Sequence, residues 1–134
     1  MSLAELRADV VIIACAISAG IHGALVPGHF AEGAGAGLGF AAATVSLAVV
    51  VLSLTRRPGS RSTLGAAAAL LGGLLASYAL AVTTGLPVLQ PDPEVVDGLA
   101  LVTKAIEAVG LLVATSLLWR PVALIALRPK GTLT

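Results

Sequence analysis

The chain has 134 residues, of which 57 % are hydrophobic and 11 % charged, whereas soluble domains carry about 25 % charged residues. So little charge cannot cover a water-soluble globule, which excludes a cytosolic enzyme, a disulfide-stapled secreted domain and a disordered tail. A net charge of +1 gives no bulk field to attract nucleic acid, and the single cysteine, Cys15, excludes an internal disulfide.

Composition therefore predicts an integral membrane protein, and length predicts a single domain over residues 1–134. The apolar runs are continuous rather than alternating, so they read as helices, each needing roughly 20 residues to cross a core of about 30 Å. The first span is expected over residues 10–29. Ser2 and Glu5 ahead of it form a capping-box pattern, and Pro27-Gly28 marks its exit. The second is expected over 34–55, ahead of a Pro58-Gly59 turn. The third runs over 64–86 and leaves through Gly85-Leu86-Pro87. The fourth runs over 99–119, with Asp92-Pro93-Glu94 at its head. The apolar piece at 122–127 is too short to cross and is expected along the interface. The fold class is all-α: an integral-membrane four-helix bundle.

Charge placement predicts its orientation. Arg7, Arg56, Arg57, Arg61, Arg120, Arg128 and Lys130 fall in the N-terminal segment, the second loop and the C-terminal tail, which share one side of a four-span chain. The two opposite loops hold Glu32, Asp92, Glu94 and Asp97 and no Lys or Arg. The positive-inside rule puts both termini in the cytoplasm, in a multi-pass protein of the cell (inner) membrane. The Ala/Gly/Arg-rich composition points to a bacterium with GC-rich DNA. Residues 10–19 resemble a signal-peptide core, but Glu5 and Asp9 flank the only arginine before it, so cleavage is not expected. Residues 12–15 resemble a lipobox whose preceding apolar run is too short. Pro27 and Glu32 recur as Pro87 and Asp92 at an offset of 60, a weak internal repeat that chance explains as well as duplication does.

Lipid supplies no hydrophobic drive between helices, so stripes of small residues are expected to mark the buried faces. These are Gly35, Gly39, Ala42 and Ser46 on the second helix, Ala69, Gly73 and Ser77 on the third, and Gly110 and Ala114 on the fourth.

Ionisable groups inside a span are costly and point to function by default. His22, Lys104 and Glu107 are such groups, with His29 and Glu32 at the outer boundary. Cys15, Ser18, His22 and His29 share one face of the first helix, and Glu107 lies on the stripe of Ala100, Thr103, Gly110 and Ala114. At about 1.5 Å per residue, His22, Tyr78, Lys104 and Glu107 fall at one depth in the outer half, roughly 10–12 Å in.

Three chemistries fit such a cluster. A transition-metal ion would draw on His22, His29, Glu32 and Glu107, although the two histidines lie about 10 Å apart on a straight helix. A proton relay or small-solute path would use the same groups with Tyr78 and Lys104. Haem or quinone binding fits least, with both histidines on one helix and aromatics at 3 %. A purely structural role is the alternative: Lys104 and Glu107 pair within one helix, and Glu107 bonds His22 or Tyr78 and locks the helices together. No Walker loop, GxSxG elbow, HExxH or dinucleotide fingerprint is present, and no nucleophile–base constellation supports an enzyme. The expectation is a small membrane protein whose outer-half polar site binds a metal ion or relays protons or a small solute. The alternative is a non-catalytic subunit or scaffold, with the bilayer, itself or other membrane subunits as partners and no nucleic acid.

Overall fold

A computed structural model describes residues 1–87 and 92–119. They form four helices and no extended strand: α1 (Leu3–Glu32), α2 (Ala34–Arg56), α3 (Arg61–Thr83) and α4 (Gly98–Trp119). All four are long and apolar enough to cross a membrane. The connections at Gly33 and residues 57–60 are short and turn each helix back on the one before it, and a longer segment over 84–97 links α3 to α4. α1 packs against α2 and α4, α3 packs against α4, and α1 and α3 lie on the diagonal of the bundle.

Local chemistry accounts for the ends. Ser2 caps α1 in a full capping box: its hydroxyl accepts from the Glu5 backbone N–H, and the Glu5 carboxylate accepts from the Ser2 backbone N–H. α1 does not stop at Pro27-Gly28 but continues to Glu32. Proline costs the helix one donor, toward the Gly23 carbonyl, and the remaining ladder carries the helix across it. Ser60 caps α3, accepting from the Thr63 backbone N–H at 3.4 Å. α3 begins and ends about a turn before the expected 64–86; Gly85, at φ 73°, takes the left-handed position just past its C-cap Thr84. Asp92-Pro93-Glu94 does not head α4. The helix starts at Gly98, and Asp97 accepts from the Ala100 backbone N–H at 2.7 Å. The Glu94 backbone N–H donates instead to the Ala81 carbonyl at 2.9 Å, folding the loop back over the end of α3. At the opposite end the Arg61 guanidinium donates to the Leu118 carbonyl at 2.8 Å, satisfying one of the last carbonyls of α4. The interfacial piece expected at 122–127, with Arg120, Arg128 and Lys130, lies outside the described residues.

Most buried positions follow one another at three- or four-residue steps, with longer gaps on α2 and α3. They are Ala8, Val11, Ala14, Cys15, Ser18 and His22 on α1, and Ala36, Gly37, Ala43, Leu47, Val50 and Leu54 on α2. On α3 they are Leu64, Ala67, Leu71 and Ala81, and on α4 Thr103, Glu107, Gly110 and Ala114. A repeat of three and four residues is the spacing of one helix face turned toward a bundle core. The small-residue stripe locates the buried face of α4 only. On α2 the seam lies one residue further on, and Ala42 and Ser46 are exposed. On α3, Ala69, Gly73 and Ser77 are exposed rather than buried, and a Cβ placed on Gly73 would meet nothing within 4 Å. On the seam of α3, Leu64 and Leu71 stand with Ala67 and Ala81, so bulky and small side chains share the buried face.

The core divides in two. Toward the arginine-bearing end it is apolar, built from Val11, Cys15, Leu47, Leu54, Leu71 and Ala114 and their neighbours. Toward the other end the seam turns polar.

Candidate functional site

The polar half is built on Glu107, whose side chain is fully buried. A carboxylate so placed requires partners for both oxygens. Ser18, from α1, donates its hydroxyl to Oε1 at 2.7 Å. Lys104, one turn earlier on α4, donates Nζ to Oε2 at 2.7 Å. His22 lies next to this pair, with Nδ1 at 4.0 Å from Oε1. The same Nδ1 is 2.9 Å from the Ser18 carbonyl oxygen and 3.3 Å from the Ser18 hydroxyl oxygen. A carbonyl only accepts, so Nδ1 carries the hydrogen, and in the neutral ring Nε2 is left as an acceptor. The run His22–Ser18–Glu107–Lys104 is thus a continuous hydrogen-bonded line in which the donors converge on the Glu107 carboxylate from both sides.

Tyr78, on the seam of α3, brings its ring to 5.4 Å from the Lys104 ammonium, within the range of a cation–π contact. Its hydroxyl is buried and has no hydrogen-bond partner among the described residues. The buried Thr103 hydroxyl, in contrast, is satisfied within its own helix by the Leu99 carbonyl at 2.7 Å.

Above this cluster lies a cavity of about 460 Å³, within the range of about 300–1,000 Å³ usual for small-molecule sites. His22, Tyr78 and Lys104 line its polar side. Leu25, Phe40, Leu74 and Leu99 are among its apolar walls, and His29, Glu32, Glu94 and Asp97 stand at its loop end. His29 pairs with Glu32 at 2.9 Å and stacks on Phe40, with ring centroids 3.8 Å apart. Phe40 also faces His22 at 5.2 Å, so one aromatic ring separates the two histidines.

The structure therefore brings His22, Tyr78, Lys104 and Glu107 into one cluster and leaves His29 and Glu32 as a separate pair at the mouth. Among the described residues no three His, Cys, Asp or Glu side chains come together as a group able to hold a metal ion. Ser18 and Phe40 join the site without having been candidates. Ser18 lay on the His22 face in the sequence, and Phe40 falls on the seam of α2 at the spacing of Ala36, Ala43 and Leu47.

No known protein family, no characterised protein and no solved structure matches this chain.

Proposed function

We propose that this protein is a membrane-embedded receptacle that holds a small solute in the cavity between the loop ends of its helices. One observation carries this reading. A cavity of ligand size is lined on one side by carbon and on the other by His22, Tyr78 and Lys104. A cluster that served only to lock the bundle needs no such space beside it.

The same geometry ranks the other uses of the site. A metal ion would find its four expected ligands divided between two pairs. A proton relay across the membrane would need polar groups beyond Glu107, where the core is apolar. The cluster thus serves one face of the membrane. By the positive-inside rule the arginine-bearing end, with Arg7, Arg56, Arg57 and Arg61, faces the cytoplasm of a cell membrane, and the cavity opens to the outer side.

The test is direct. The protein is extracted from native membranes in mild detergent, and its small-molecule content is compared by mass spectrometry with that of Ala100→Phe, which fills the cavity from α4. A compound enriched toward one per chain in wild type and depleted in the variant is expected. Identical extracts from two equally folded proteins would overturn the reading.

A further inference from the structure

Resting on that reading, we propose that the occupant is an uncharged, mostly apolar molecule with one hydroxyl group, and that this hydroxyl donates its hydrogen bond to His22 Nε2. The imidazole is held at one edge and open at the other. Nδ1 donates to the Ser18 carbonyl at 2.9 Å, which turns that edge toward its own helix and toward Glu107. Nε2 is then an acceptor, and among the described residues the ring makes its hydrogen bonds through Nδ1 alone. Nε2 is not sealed off, because the Tyr78 hydroxyl is the one fully buried side-chain nitrogen or oxygen left without a partner among those residues. His22 lines the cavity, so the surface that Nε2 keeps opens to that space. Ile21 and His22 lie furthest from the loop end of the residues that α1 gives to the cavity, and Lys104 furthest of those from α4. The hydroxyl end therefore points into the bundle, with the carbon skeleton toward the mouth between Leu25, Phe40, Leu74 and Leu99. Burying that skeleton contributes affinity in proportion to its apolar area.

Chemistry and charge select against other head groups. A carbonyl, an ether or a carboxylate has no hydrogen to offer Nε2. A carboxylate would also bring a second negative charge to the Glu107 cluster, after passing Glu32, Glu94 and Asp97 at the mouth. An ammonium has hydrogens to donate, but it would share the deep end of the cavity with the Lys104 ammonium, whose counter-charge on Glu107 is already taken. A hydroxyl is the smallest neutral group that donates.

Three probes with one bicyclic skeleton test this: 2-tetralol, its methyl ether, which keeps the oxygen and lacks the hydrogen, and tetralin. The chain has two histidines and one tyrosine. Protein labelled with [15N]histidine and [13Cζ]tyrosine in lipid nanodiscs therefore reports occupancy through Tyr78 and the hydrogen bond through His22, whose signals are those missing from His22→Phe. 2-Tetralol is expected to saturate the Tyr78 shift at concentrations about fivefold below those the ether or tetralin needs, as one net hydrogen bond implies. It alone should move the bare Nε2 resonance upfield, while Nδ1 keeps its proton. If the ether or tetralin binds as tightly as the alcohol, or the alcohol fills the cavity without moving Nε2, with Ala100→Phe abolishing the binding, the hydroxyl assignment fails and the receptacle stands. If none of the three saturates, and Ala100→Phe leaves the spectrum of the site unchanged, both fail together.

Discussion

Glu107 decides what the rest of the cluster must be. Its carboxylate is wholly out of solvent and takes one hydrogen bond from an ammonium and one from a hydroxyl. Breaking a buried pair by removing one partner typically costs about 3–5 kcal/mol, because the other charge is left uncompensated, whereas removing both is far milder. Glu107→Gln is therefore expected to lower stability by about 3–5 kcal/mol, and Glu107→Gln with Lys104→Met to recover most of that loss, measured by detergent-titrated unfolding followed by circular dichroism. Ser18→Ala removes only a neutral donor and should cost about 1–3 kcal/mol. It should also alter the 15N shifts of His22, whose wild-type ring is expected to show a protonated Nδ1 and a bare Nε2. Much of this was legible in the sequence, since ionisable side chains in an apolar run announce themselves. Ser18 and Phe40 do not: a serine in a span reads as one more small residue, and a lone phenylalanine as lipid-facing bulk. Only the three- and four-residue rhythm of the seam singles them out, and that rhythm is visible once the helices are in register.

At the scale of the helix, the seam shows why helix existence was easier to read than helix facing. Four long apolar runs permit little but four helices. Which side of each turns inward depends on a rotation of about 100° per residue, so an error of one position, as on α2, moves the inferred face by that angle. Small residues mislead when bulky and small side chains share the buried face. Gly73 is exposed with open space around it, while a Cβ on Gly110 would lie 2.8 Å from the Ala14 Cβ and 3.0 Å from Leu71 Cδ1. The Ala14 Cβ is fixed to its backbone, so α1 and α4 would have to move apart. Gly110→Ala is expected to destabilise by about 1–3 kcal/mol. Gly73→Ala should be neutral or stabilising by up to about 1 kcal/mol through helix propensity alone. The pair, measured by the same unfolding assay, separates packing from propensity. Two Gly→Ala changes of similar size would mean that α3 meets another surface in the membrane.

For the whole molecule the main feature is its asymmetry from one end to the other. The hydrogen-bonded cluster between helices reaches down to Glu107 and no further among the described residues. From Glu107 to Leu118, α4 continues for about 16 Å against Leu71, Leu47, Leu54, Leu64 and Val11, an apolar core that offers a proton no next partner. The hydroxyls of Thr115 and Ser116 in this stretch bond back to their own helix at 2.8 Å and 2.7 Å, so they offer no open link. A single copy should therefore bind without conducting. Protein reconstituted in liposomes with an internal pH dye is expected to dissipate an imposed proton gradient no faster than empty liposomes do. In a Cys15→Ser background, a membrane-impermeant thiol reagent should reach Glu94→Cys from one face and Ser62→Cys from the other, because these positions end opposite halves of the bundle. Gradient decay that rises with protein density and vanishes in Glu107→Gln would show a conducting route through Glu107, and would replace a one-sided receptacle by a relay completed between copies.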